Sequence, residues 1–396
     1  MMARRGVHDV AVVGAGMVGA ALALALANDG FDVALIEPRP PAPWRESDEV
    51  DLRVVALAPS AIELFRRLDV WTSIASARAC AYRHMRVWDA LAPGALQFDA
   101  ADVDAAQLGF IVENRLIQHC LWQALQRAPG VTLHCPGRVV ASQCDAARRA
   151  LTLDDDNTVA ARLVVAADGA ESPLRQLVGI ATQDRDYAQR AVVAHVATEH
   201  AHEFTAWQRF LPQATLAFLP LADGRSSIVW SVPDAEAQRL LALDDDEFRA
   251  ELGAAFDFRL GAVTAITARA AFPLRLRLSE RYIAQRFALI GDAAHVVHPL
   301  AGQGVNLGLR DVDELCAVLQ QARAAQGDFG AAHVLRRYER RRCSDNLLAA
   351  HAFDAIQRVF GQQQSSVLAV ARGAALGVVD RLPPLKRMFA RHAAGR

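Results

Sequence analysis

Net charge is almost absent from this chain of 396 residues: 43 Lys and Arg stand against 44 Asp and Glu, leaving −1 with histidine neutral. No global field draws a polyanion, so nucleic-acid binding is not expected. Cysteine is sparse and unpatterned. Cys80, Cys120, Cys135, Cys144, Cys316 and Cys343 show no CxxC or CxxH spacing. That argues against a disulfide scaffold, a zinc ribbon and a dithiol centre, and fits a reducing compartment. Metal-ligand spacing, a Ser/His/Asp order and a nucleophile elbow are all missing, so no metal and no serine-hydrolase chemistry are expected. Internal repeats and low-complexity tracts are missing too. Long apolar runs are limited to Val10–Ala27, which by composition could be a signal-peptide core or a marginal membrane span. Its glycines, however, fall in the first half at fixed spacing, and an acidic residue closes the next apolar run. A nucleotide-binding turn explains both features and a targeting segment explains neither.

What is present is an ordinary globular composition, 53% apolar and 22% charged, with length for two or three domains. Four short apolar runs read as buried parallel strands: Val10–Val13, Val33–Ile36, Leu163–Ala167 and Phe287–Ile290. Each ends in a residue suited to gripping a ligand: Gly14, Glu37, Asp168, and Gly291 with Asp292. Ligands of open parallel sheets sit beyond the carboxyl ends of the strands. One sheet assembled from distant segments implies insertions between them. Arg83–Trp88, Ala191–Thr198, Thr215–Leu219 and Ser226–Val232 read as strands of a second, mostly antiparallel sheet. Glu37–Glu49 is Pro-rich and charged, hence a loop. After Gln303 the pattern becomes helical: Val305, Leu309, Val312, Cys316 and Leu319 share one face.

Three motifs carry the chemistry. Gly14-Ala15-Gly16-Met17-Val18-Gly19 fits GxGxxG after a strand and before a helix, the context that motif needs. Gly14 permits the turn, Gly16 lets the backbone approach a pyrophosphate, and Gly19 lets helix and strand pack. The helix start offers N–H groups to the anion, and Glu37 can accept from ribose hydroxyls. This fingerprint alone does not choose between NAD and FAD. Asp168-Gly169 leads into a short helix bearing Arg175; on its own it reads as an Asx-turn with a helix cap. The third motif runs from Gly291-Asp292 to Gly308. Asp292 can bond a polyol, and the Pro299, Gly302 and Gly304 loop leads into a helix whose N-terminus suits the charge of a reduced flavin.

In order and spacing the three motifs resemble the group A FAD-dependent aromatic hydroxylases, and within them the ubiquinone-biosynthesis branch. Arg53-Val54-Val55-Ala56-Leu57, Val112-Glu113-Asn114, Ala217–Leu221 with Ser227–Trp230, and Pro299–Gly308 carry the closer likeness, over about residues 8–345. The resemblance implies an α/β fold: a Rossmann-type FAD-binding domain (1–76, 105–184 and 277–345), an inserted, mostly antiparallel substrate domain (77–104 and 185–276), and a C-terminal helical region (346–396). It implies that Gly14, Gly16, Gly19 and Glu37 hold the ADP half of FAD, with Asp168 part of the cofactor site. Asp292 would bind the ribityl chain, and Pro299, Gly302, Gln303, Gly304, Val305 and Asn306 would cradle the ring. Arg53 would lie near the diphosphate or flavin. Related phenol hydroxylases often carry Arg where this chain has Asn114, so that position is left out of the site. The implied reaction is monooxygenation of a polyprenylated phenol or benzoquinol through a flavin C4a-hydroperoxide, with O2 as co-substrate and NAD(P)H or another donor as reductant. A same-fold hydroxylase of a small soluble phenol, an NAD-dependent dehydrogenase and a non-catalytic flavin-binding assembly protein are the competing readings.

Other residues admit two readings. His295 and His298 sit in the flavin loop; His298, with Pro299, is a candidate for the chemistry, although such histidines are commonly structural. Trp207, Phe218 and Trp230 are candidates to line an aromatic pocket, against the plain alternative of core packing. Asp380–Arg396 carries five basic side chains against one acidic, with Leu385, Met388 and Phe389 on one helical face. A cytoplasmic enzyme touching the inner face of the membrane is therefore expected, with a biosynthetic complex as the other route to a prenylated substrate.

Overall fold

The computed structural model describes residues 6–91, 95–297 and 304–361, with side chains to 346. His298, Pro299, Gly302, Gln303 and the basic Asp380–Arg396 segment lie outside the described residues.

The four apolar runs form one parallel sheet. Its strands lie side by side in the order Phe287–Leu289, Thr158–Ala166, His8–Val13, Val33–Ile36 and Val131–His134. Val10, Ala11 and Val12 have no solvent exposure, as a strand covered on both faces requires. The helix Met17–Asn28, almost wholly apolar, crosses between the first two strands and is buried from Gly19 to Leu24. It packs against the helices Asn114–Arg127 and Gly304–Ala324.

The second sheet has nine strands and is antiparallel except where Thr205–Leu211 runs parallel to His84–Asp89. Its centre is Thr182–Thr198, Ser226–Pro233 and Ala214–Pro220. Thr182–Thr198 and Ala270–Ser279 pair from Thr182↔Ser279 to Val193↔Ala270, so the unit boundaries expected at 184/185 and 276/277 fall inside these strands. A three-stranded sheet of Val54–Leu57, Gly109–Glu113 and Cys80–Tyr82 completes the β-structure of the described residues.

Side-chain alternation gives the second sheet two unlike faces. Along Ser226–Pro233, Ile228, Trp230 and Val232 enter an apolar core covered by the helices Asp234–Ala242 and Asp245–Ala255. Phe218 stacks on Phe256 at 3.8 Å, and Trp207 packs edge-on to the same ring. The expectation that Trp207, Phe218 and Trp230 line a substrate pocket is thus corrected. Their parity turns them to the helix-covered face.

One buried charge cluster ties the C-terminal helices to the parallel sheet. Asp311, with no exposure, accepts from the Gly291 N–H at 2.9 Å and from Arg342 Nε at 2.7 Å, and pairs with His295 Nε2 at 2.6 Å. Arg342 also donates to Asn346, and the Tyr338 hydroxyl donates to the Leu289 carbonyl at the end of its strand. Burial raises the Asp311 carboxyl, but His295 and Arg342 together hold it below the usual range. A depressed folded value means that this group stabilises the fold above about pH 4, its unfolded value, and that the contribution is lost as pH falls through the folded value. Replacing Asp311 by Ala strands a buried cation and should cost about 3–5 kcal/mol at pH 7. Urea midpoints at pH 7 and in acid test this: the variant's deficit should be largest at pH 7 and narrow in acid.

Candidate cofactor and substrate site

The first glycine turn is held by packing at two of its three glycines. Gly14 adopts φ +101°, and a Cβ there would lie 2.4 Å from the Ala167 carbonyl oxygen. A Cβ on Gly19 would lie 2.0 Å from the Gly14 oxygen. Gly16 differs: a Cβ would meet no atom of the described residues within 4 Å. It opens the 12-residue helix without a side-chain cap, so the first N–H groups face open space. Glu37 accepts from the Ala15 N–H at 2.6 Å and from the Arg39 N–H at 3.3 Å, which orients the carboxylate at the turn and leaves lone pairs over.

Asp168 braces its own loop. Its carboxylate accepts from the Ser172 hydroxyl and from the Leu174 N–H at 3.1 Å, while Ser172 caps the helix Pro173–Leu177 at the Arg175 N–H. Burial raises the Asp168 carboxyl. Arg175 then donates to the Ala293 carbonyl at 2.8 Å, fastening the second motif to the third. The Asx-turn and cap reading therefore describes the side chain, while Gly169 stands on the cavity wall.

In the third motif Val18 fits between glycines: a Cβ would come within 3.2 Å of it at Gly291 and 2.7 Å at Gly308. Asp292 follows at the sheet's carboxyl edge. Its side chain is open to the cavity yet crowded by protein, and accepts no hydrogen bond among the described residues. That crowding pushes its carboxyl up, with His295 and Arg53 opposing. Gly304 and Val305 line the same cavity. Asn306 does not. Its side chain is held by the Ala58 N–H at 2.9 Å and the Ala56 carbonyl at 2.8 Å, so it clamps the start of the neighbouring helix, Pro59–Arg67. His295, bonded to Asp311, is structural.

These pieces meet in one cavity of about 580 Å³. Gly16–Val18, Leu52–Val55, Gly291 and Asp292 form one wall. The other is the uncovered face of the second sheet, with Ala191, Val193, Ala217, Leu219 and Val229 as its apolar floor and Ser227 and Ser231 between them. Arg53 lies over the Phe272 ring at 5.7 Å at this opening. Among the described residues two polar atoms on the lining are buried without a partner, Asn114 Oδ1 and Ser227 Oγ. Asn114 was left out of the expected site; its signal was its place at the start of a helix directly after a strand. Ser227 and Ser231 were legible only as the polar members of an alternating strand. An open glycine, an unbonded carboxylate and an unpaired amide oxygen on one wall are what a polar, anionic dinucleotide needs. Among the described residues no group of His, Cys, Asp and Glu could hold a metal.

The glycine contrast is measurable. Gly19→Ala forces a side chain into backbone and should lower stability by about 1–3 kcal/mol. Gly16→Ala meets no neighbour and should cost at most about 1 kcal/mol, through the weaker helix cap. Denaturant midpoints of both variants check the order.

Comparison with known proteins agrees with this arrangement. The family model described as FAD binding domain matches residues 7–346. The chain is 38% identical over 387 residues to the 3-demethoxyubiquinol 3-hydroxylase of Escherichia coli, covering 98% of each chain. It is 39% identical over 389 residues to the ubiquinone hydroxylase UbiL of Rhodospirillum rubrum, covering 98% of this chain and 90% of that one. Among solved structures, the p-nitrophenol 4-monooxygenase PnpA of Pseudomonas putida superposes with a TM-score of 0.77 at 18% identity, over 97% of this chain and 96% of that one, a likeness of fold. With the motifs, the cavity and the matched span in agreement, the chain belongs to the FAD-binding domain family of aromatic-ring monooxygenases, and FAD is its cofactor.

Proposed function

We propose that this protein is a FAD-dependent monooxygenase that hydroxylates the aromatic ring of a polyprenylated phenol or benzoquinol in ubiquinone biosynthesis. The observation that carries it is the single cavity joining a dinucleotide-type wall to a sheet floor of small apolar side chains. The named activities of the two relatives support the substrate class.

In this reading Gly14, Gly16 and Gly19, with the open helix start, take the diphosphate. Glu37 accepts from the adenosine ribose, and Asp292 from the ribityl hydroxyls. Arg53 offers positive charge on the same wall, and Asn114 Oδ1 gains the donor it lacks. The backbone of Gly304 and Val305 lies beside the ring. Asp168 and Asn306 act by holding the loops. When bound and reduced by NAD(P)H or another donor, FAD supplies activated oxygen from O2. The chain's own part is to bury the aromatic ring against Ala191, Val193, Ala217 and Val229, exclude water and orient one ring carbon. Among the described residues no helix is long and apolar enough to cross a membrane. Contact of the basic Asp380–Arg396 segment with an anionic leaflet, or membership of a biosynthetic complex, would bring the prenylated substrate within reach.

Two outcomes test the reading. Holoprotein given a prenylated phenol, a reductant and ¹⁸O2 should yield product heavier by one labelled oxygen; reductant oxidation with only peroxide formed would count against it. Asp292→Ala should lose about 1.5–3 kcal/mol of FAD affinity, measured by flavin fluorescence titration. An unchanged affinity would remove Asp292 from the cofactor wall.

A further inference from the structure

Leu52 and Arg53 stand on the cavity wall at the end of a long loop. Between Ile36 and Val54 the chain forms neither helix nor strand, and no residue of that stretch is buried. Such a segment has little of its own to fix it in place. Yet both of its ends meet the cofactor wall. Glu37 accepts from the Ala15 N–H in the glycine turn, and Arg53 is near enough to Asp292 for its charge to act on that carboxyl.

Both backbone groups of Asp51, two residues before Arg53, are gripped from elsewhere in the fold. The N–H donates to Glu113 Oε2 at 2.7 Å, and the carbonyl oxygen lies 3.1 Å from His195 Nε2. A carbonyl only accepts, so the imidazole donates there, with the Val50 carbonyl also facing it. The Asp51 carboxylate then accepts from the Arg53 N–H at 3.2 Å, and the Arg53 carbonyl accepts from the Asn114 N–H at 2.9 Å. The two gripping side chains are interior, Glu113 at 2% exposure and His195 at 1%. They come from different sheets. Glu113 ends the strand Gly109–Glu113 of the three-stranded sheet, and His195 lies on Thr182–Thr198 of the second sheet.

Glu113 has a second task. Arg78 Nε lies 2.9 Å from its Oε1, and Arg78 Nη2 donates to its Oε2 at 3.3 Å. Arg78 also donates to the Asp48 carbonyl at 2.7 Å and lies over the Trp44 ring at 5.0 Å, so it carries the middle of the same loop. A buried ion pair of this kind matters to the fold whether or not a ligand is bound. The bond to the Asp51 N–H is separable from it, because its donor leads directly to Arg53.

We infer that Glu113 and His195 are positioning residues for the cofactor: by fixing the backbone of Asp51 they hold Arg53 on the wall where FAD binds. Neither is among the residues lining the cavity, so each acts through Arg53. The inference rests on the reading above that sets Arg53 at the cofactor. A long side chain whose backbone is already fixed loses less freedom on binding, which appears as affinity.

The test uses the full-length holoprotein and reads FAD affinity from flavin fluorescence on dilution, with a urea midpoint for every variant. Arg53→Ala should weaken FAD binding at least about tenfold, the size of one charge-assisted hydrogen bond. Glu113→Ala and His195→Leu should each weaken it about two- to tenfold, the range that ordering one long side chain costs. In the Arg53→Ala background neither should weaken it further, since the group through which it acts is gone. Glu113→Gln separates the two tasks of the carboxylate. Its amide oxygen can still accept from Asp51 but no longer neutralises Arg78, so its urea midpoint should fall while its FAD affinity stays near wild type. Affinity that falls equally in Glu113→Gln and Glu113→Ala, following the midpoints, would overturn the inference and leave Arg53 at the cofactor. So would effects of Glu113→Ala and His195→Leu that add in full to that of Arg53→Ala. Unchanged affinity in Arg53→Ala would overturn the placement of Arg53, and the inference with it. Should Glu113→Ala fail to fold, His195→Leu with and without Arg53→Ala decides alone.

Discussion

The carboxylate of Asp311 is the constraint on which the site depends. It lies in the interior, on a helix from the last quarter of the described chain, and satisfies four groups from two parts of the molecule at once. The Gly291 N–H and His295 belong to the loop after a parallel strand; Arg342 and Asn346 belong to the helix Ala332–Gly361. An unpaired buried carboxylate would be very costly, so the partners and the acid require one another. The consequence appears one residue away. With Gly291 held at φ +57° and the loop anchored at His295, Asp292 has no freedom to turn inward and presents its carboxylate to the cavity. A buried ion pair thus sets the direction of an exposed one-residue neighbour.

The second sheet shows how one alternating pattern makes both a core and a binding surface. Trp207, Phe218 and Trp230 supply bulk on the side where the two helices cover the sheet. Between them, at the opposite parity, stand alanine, valine, serine and threonine. Small side chains on that face leave the volume that becomes the cavity. Exchanging the parity by one register step would fill the cavity with indole and expose serine to the apolar core. The aromatic residues therefore shape the cavity indirectly, by packing on the helix-covered face and leaving the other to small side chains.

The parallel sheet was legible because its strands are short, wholly apolar and closed by Gly or acidic residues; burial on both faces leaves no competing pattern. GxGxxG and Glu37 were legible for the same reason, since steric demands at Gly14 and Gly19 admit no other residue. The second sheet was legible only at its centre. Thr182–Thr198 begins nine residues before the apolar stretch that announced it, because Thr182–Arg190, paired with Pro273–Ser279, is largely exposed and carries polar residues on both faces. No hydrophobic period exists there to be read. Asn306 shows a different limit. Its position in the flavin-type loop suggested ring contact, but whether an amide faces a ligand or a backbone depends on the segment Ala56–Ala58, some 250 residues away in sequence. Asn114 and Ser227 share that limit, since an atom left without a partner among the described residues is a property of the packed interior and has no counterpart in composition or spacing.

The stretch from Gly291 to Val297 joins the two halves of the cavity physically. Its first residues close the parallel sheet and carry Asp292. Two residues on from Ala293, His295–Val296 pairs as a strand with Arg277–Leu278 of the second sheet, and Val297 packs with Leu307 against Leu276 and Leu278. Ala293 accepts from both Arg175 and Ser279, adding a bond to each side. Asp292 and the apolar floor of the cavity are therefore separated by a short, hydrogen-bonded segment of backbone. Displacing one wall would break ladder bonds and the Asp311 contacts together. A reaction that delivers one oxygen atom to one ring carbon needs the two walls held at a fixed distance, and this seven-residue bridge is the element that holds them.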